Sequence, residues 1–109
     1  MDRALDDRRR EARFDAPLLV HLRATLRPGN IIALVNLAPG GALVHSMRPL
    51  RPGTRIHMQI TGGTHIVRAA GHVLRCGVAR LSADGVVYVG ALKFDSRCGL
   101  PWAENSRKG

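Results

Sequence analysis

Ile31-Ile32-Ala33-Leu34-Val35-Asn36-Leu37-Ala38-Pro39-Gly40-Gly41-Ala42-Leu43-Val44 is the stretch whose reading decides the fold. Two apolar runs of strand length, residues 31–35 and 42–44, flank a centre that ends in Pro39-Gly40-Gly41. Both runs are rich in β-formers. Proline presets φ and glycine tolerates positive φ, so Pro39-Gly40 reads as a turn. Gly41 leaves the backbone bare, so that something flat could approach it closely. Asn36 closes the first run with both donors and an acceptor to offer. The local expectation is a hairpin whose loop spans residues 36–41.

The same grammar repeats outward from this hairpin. Leu18, Val20, Leu22, Ala24 and Leu26 alternate with Leu19, His21, Arg23, Thr25 and Arg27, which predicts a half-buried strand over residues 18–27. Arg27-Pro28-Gly29-Asn30 turns it into the strand at 31–35. After the loop punctuated by Pro49, Pro52 and Gly53, Ile56, Met58 and Ile60 alternate with polar neighbours. Gly62-Gly63-Thr64 is a hairpin signal. A long strand is expected over 64–76, with a bulge where Ala69-Ala70-Gly71 interrupts its alternation. Ser82-Ala83-Asp84-Gly85 leads to the last strand, residues 86–94, with Tyr88, Gly90, Leu92 and Phe94 on one face. Short strands at near-regular spacing, with Gly/Pro turns and no long amphipathic helix, predict an all-β fold: a six-stranded antiparallel β-barrel. Residues 1–15 hold too little apolar content to bury a face and are expected to be a flexible basic arm. The barrel is expected over 16–94, followed by a short polar tail at 95–109 in which Pro101 could open one helical turn.

Composition narrows the chemistry. At 109 residues the chain is expected to form one domain with its own core. Its formal charge is +9, and Lys93 and Lys108 are the only basic residues that are not arginine. Residues 16–83 contain eight arginines and no acid. A surface of this kind suits a polyanion or phosphate partner, and guanidinium forks match phosphate and guanine edges as ammonium groups cannot. The only aromatics are Phe14, Tyr88, Phe94 and Trp102, a poor set for stacking bases along a single strand. No apolar run reaches the length of a membrane span, and the N-terminus is too charged for a signal peptide, so a soluble cytoplasmic protein is expected. Cys76 and Cys98 lack CxxC spacing and read as free thiols, and the five histidines have no zinc-site spacing, so neither metal nor cofactor is expected. With no activated nucleophile, carboxylate pair or ligand set, the chain is not expected to be an enzyme.

Two signals stand together: Arg9-x-x-x-Arg13, inside the run Arg8-Arg9-Arg10-Glu11-Ala12-Arg13, and Asn36-x-Ala38-x-x-Gly41. In this the sequence resembles the PilZ domain, a bacterial receptor module for cyclic di-GMP. That family's pattern is RxxxR near the N-terminus followed by [D/N]xSxxG on a six-stranded antiparallel barrel. The resemblance covers residues 8–94 and includes the Pro49-Leu50-Arg51-Pro52-Gly53 loop and the Gly71-His72-Val73-Leu74-Arg75 strand. It implies a cyclic di-GMP site made of Arg8, Arg9, Arg13, Asn36, Ala38, Gly40 and Gly41. Arg9 and Arg13 would fork onto guanine or phosphate and stack on a base, Asn36 would contact a guanine edge, and Gly41 would let the base approach the backbone. Ala38 departs from the family serine, and the missing hydroxyl is worth about 1 kcal/mol. Ala91 departs from a glycine in the family's last strand and reads as a packing variation.

The resemblance implies a stand-alone adaptor. The arm would close over the nucleotide, and the signal would pass to a partner protein in motility, adhesion or polysaccharide production. Two other readings stay open. Ala38 suits a divergent PilZ adaptor that binds no nucleotide and works by protein contact. The charge suits a basic nucleic-acid-binding β-barrel, against which stand the scarce aromatics and the lack of a nucleic-acid motif.

Overall fold

The computed structural model describes Leu19 and residues 21–102, so the arm with Arg8, Arg9 and Arg13 lies outside the described residues. Six antiparallel strands form one sheet: β1 (Arg23–Leu26), β2 (Asn30–Ala38), β3 (Gly41–Ser46), β4 (Arg55–Gly62), β5 (His65–Ser82) and β6 (Gly85–Phe94). They are joined in the order β1-β2-β3-β6-β5-β4, and β1 pairs with β4 as well as β2, so the sheet closes on itself as a barrel. Closure leaves these paired edges no partner to seek.

The inward faces carry the core. Ala24 and Leu26, Ile32 and Leu37, Ala42 and Val44, Ile56, Met58 and Ile60, Val73, Leu92 and Phe94 are all buried, strand by strand. In every strand but β2 they keep one phase of a period-two alternation, as a sheet with one dry face requires. Ser46 is also buried, and its hydroxyl is fully used. It accepts from Asn30 Nδ2 (3.1 Å) and from the Arg48 amide (3.0 Å) and donates to the Arg48 carbonyl (2.7 Å).

Four expectations need correction. The first strand is short: β1 starts at Arg23, because a turn closed by the Leu22 amide on the Leu19 carbonyl (3.0 Å) precedes it. That turn buries Leu19, a residue that unbroken alternation would have exposed. The second strand is longer than expected and runs to Ala38, so residues 36–38 are strand rather than loop.

The bulge of β5 is also misplaced, because Ala69, Ala70 and Gly71 pair without interruption to Met58, His57 and Ile56. The bareness of Gly71 answers a close approach instead. Gly71 pairs with β4 on one side and β6 on the other, and a Cβ there would lie 2.0 Å from the Lys93 carbonyl oxygen. The register shifts come later, between Val73 and Arg75 and between Val78 and Arg80, where β5 has left β4 and twists with β6. There the strand pair runs on beyond the barrel as a ribbon, with Val78 59% and Leu81 75% exposed.

Finally, the tail is not simply polar. Leu100 is buried in the core, Trp102 packs against it, and the Trp102 indole N–H donates to the Gly62 carbonyl (3.3 Å). The barrel's packing therefore extends past Phe94, to the point where Pro101 and Trp102 take up helical backbone. Cys98 in this segment is half-buried and unpaired with Cys76, and burial pushes its thiol pKa up, away from a reactive thiolate.

Candidate functional site

One irregularity decides which way the Asn36 motif faces. Ile32 and Leu34 point inward, so unbroken alternation would send Asn36 into the core as well. The register between β2 and β3 shifts between Leu34 and Asn36, absorbing Val35 as the extra residue. The phase flips there. Leu37 turns inward and is fully buried, while Asn36 and Ala38 turn outward and are half-exposed. Within the described residues the Asn36 amide has no hydrogen-bond partner, so both its donors and its acceptor are open to a ligand.

Beyond Ala38 the chain turns tightly. Ala38 pairs with Gly41, leaving Pro39 and Gly40 as the connection. Neither Gly40 nor Gly41 has positive φ, so the turn does not use the freedom that the sequence offered there. The end of β6 and the segment after it anchor it: the Phe94 amide donates to the Gly40 carbonyl and the Cys98 amide to the Pro39 carbonyl, both at 2.9 Å. Gly41 has an internal reason to be bare, since a Cβ would sit 2.3 Å from the Leu92 carbonyl oxygen of β6.

Pairing across β3, β6 and β5 extends the motif into a face. One outward row runs Asn36, Leu43, Ala91, Arg75. The next runs Ala38, Gly41, Lys93, His72, Arg55. At about 4.8 Å per strand, Asn36 and Arg75 are three steps, or about 14 Å, apart. Arg75 and Lys93 are exposed, whereas Arg55 is held in an ion pair with Asp95. The face is thus a hydrogen-bonding edge at one side, a flat centre of Leu43, Gly41 and Ala91, and cations at the other. Ala91, expected to be a packing variation, stands half-exposed in the middle of that face.

Of the residues expected at the site, Asn36, Ala38, Gly40 and Gly41 lie on this hairpin. Arg8, Arg9 and Arg13 lie outside the described residues. Arg75, His72 and Lys93 share the face and were missed by the sequence reading. The outward phase of His72 and Lys93 is visible in the alternation of β5 and β6, whereas Arg75 faces out only through the register shift after Val73, and their adjacency to Asn36 depends on β6 lying between β3 and β5, which no local pattern states. Among the described residues no three His, Cys, Asp or Glu side chains converge as a metal site, and no helix is long and apolar enough to cross a membrane.

The family model of the PilZ domain matches residues 7–96. That span takes in both Arg9-x-x-x-Arg13 and the whole hairpin face. No curated protein and no solved structure matches the chain.

Proposed function

This chain belongs to the PilZ domain family, and on that premise we propose that it is a receptor for cyclic di-GMP that relays the signal to a partner protein. The observation that carries the proposal is the outward-facing, unpartnered Asn36 amide on a face that also bears Lys93 and Arg75. A guanine offers N1–H and N2–H₂ to the Asn36 oxygen and O6 to its NH₂. The bare Gly41 and small Ala38 leave room for the flat base. Arg9 and Arg13 supply the forks for phosphate or guanine, with Arg8 as supporting charge, and Gly40 keeps the turn small. The output goes to a partner in motility, adhesion or polysaccharide production, and the site of action is the bacterial cytoplasm.

Calorimetric titration with cyclic di-GMP tests this directly. Saturable binding of one nucleotide, or of a stacked pair, per chain is the expected result. The absence of binding at millimolar nucleotide would rule out the receptor role. Two substitutions then probe the hairpin. Asn36→Ala removes the turn's one base-reading side chain and should weaken binding by about 1–3 kcal/mol. Ala38→Ser restores the family hydroxyl and should tighten it by at most about fivefold, since one hydrogen bond is worth about 1 kcal/mol. If both leave the affinity unchanged, the nucleotide does not contact the hairpin.

A second reading rests on Ala38 and on the apolar Leu43 and Ala91 at the centre of the face. A divergent member that binds no nucleotide would use this surface for protein contact. It predicts no heat in the titration and no response to either substitution.

A further inference from the structure

A second basic concavity lies on the far side of the barrel. β4 stands opposite β3 in the ring β1-β2-β3-β6-β5-β4, so His57 and Gln59 on its outward face lie beyond the Arg55 end of the hairpin face. The register sets Thr25, Gln59 and Arg68 side by side across β1, β4 and β5. In the adjoining outward row Ala70 pairs with His57, and the Arg27 amide donates to the His57 carbonyl at 3.0 Å. Ala70 contributes only a methyl group between taller neighbours. The result is a depression of about 290 Å³ walled by Thr25, Arg27, His57, Gln59 and Arg68.

These walls are donors without partners. Arg27, His57 and Arg68 are exposed, and none of the five polar side chains makes a hydrogen bond or ion pair within the described structure. The carboxylate that approaches through the backbone is Asp95, whose amide donates to the Ala70 carbonyl (2.8 Å), and its side chain is engaged by Arg55. The cluster is also bounded. Ile31, 77% exposed, pairs with Thr25 on one flank, and Ile66, 56% exposed, stands two residues before Arg68 on the same face of β5. A polyanion track would carry its cations onward past these residues, and on the other side the next outward row opens with Arg55, already held by Asp95.

We propose that this hollow binds the phosphate group of a small phosphorylated ligand. Arg27 and Arg68 bracket the tetrahedral anion with their planar forks, and His57, Gln59 and Thr25 complete its hydrogen bonds. The site shares no residue with the hairpin face, whose Arg55–His72 row adjoins it, and does not depend on the cyclic di-GMP proposal.

The test is an NMR titration of the ¹⁵N-labelled full chain with pyrophosphate, at ionic strength held constant with chloride. Saturable shifts should centre on residues 25, 27, 57, 59, 68 and 70. The double variant Arg27→Gln/Arg68→Gln should weaken binding at least tenfold, and each single variant several-fold. Arg48→Gln/Arg51→Gln removes the same charge from the loop after β3 and should stay within twofold of the parent. All four arginines lie outside the core, and a melting curve checks that every variant folds. Equal losses in the two double variants, or shifts spread over the whole basic surface, would reduce the effect to general charge and overturn the proposal. So would saturation only at tens of millimolar pyrophosphate, which means an adventitious ion only. Preference for single-stranded oligonucleotides, rising with their length, would also overturn it in favour of nucleic acid.

Discussion

Leu37→Ala is expected to destabilise the domain by about 3–4 kcal/mol, the cost of removing a large aliphatic side chain from a closed site. Leu37 has no exposed surface and pairs with inward-facing Ala42, so no larger neighbour on the adjoining strand can fill the space. It sits in the middle of the Asn36-x-Ala38-x-x-Gly41 motif, yet it faces away from any ligand. Domains of this kind are stable by about 5–15 kcal/mol, so much of the population should stay folded. Urea unfolding measures the loss through a lowered midpoint at constant m-value. Cyclic di-GMP affinity per folded molecule should stay within a fewfold of the parent. A loss of stability below about 1 kcal/mol would mean that the core repacks around position 37 and that the Val35 bulge does not fix its orientation.

Arg9→Ala and Arg13→Ala should act the other way, on binding and not on the fold. In the proposed complex each would remove a charge-assisted contact to the nucleotide and should cost about 1.5–3 kcal/mol, or roughly ten- to 150-fold in affinity. Neither residue stands in an apolar run, so the melting temperature of the free protein should hardly move. Calorimetry and a thermal melt on the same samples check both halves. Amide exchange of residues 8–13 should slow when cyclic di-GMP is added, as closure of the arm over the ligand requires. If either substitution unfolds the protein, the arm is part of the folded core and its role as a ligand clamp falls.

Much of this architecture is legible in the residues because alternation and turn chemistry are local. Ile56, Met58 and Ile60 announce an inward face by themselves, and Gly62-Gly63 announces the hairpin that follows. A bulge is different, since it is a mismatch between two strands and depends on what the partner offers. Val35 looks like any other strand valine, and its displacement shows only against β3. Within the sequence signal at Ala69-Ala70-Gly71, Gly71 answers the Lys93 backbone arriving from far along the chain. The same holds for the tail, where Leu100 and Trp102 are two apolar residues in a polar segment until the core takes up Leu100 and Gly62 meets Trp102. The candidate site divides along this line. Asn36 and Gly41 are readable as a motif, whereas Arg75 and Lys93 join them only through the strand order β3-β6-β5.

The ribbon formed by β5 and β6 makes the domain tolerant of length change at one end. Inside the barrel, adding residues to a strand would break pairings on both of its sides. Past the Val78–Arg80 register shift, β5 pairs with β6 alone, through Arg80, Leu81 and Ser82. Two residues added to each strand there would keep every inward and outward position in phase, because the side-chain period is two. The barrel's closure and its hairpin face would not register the change. Relatives of this chain could thus differ in the reach of this arm of sheet while keeping the same barrel beneath it.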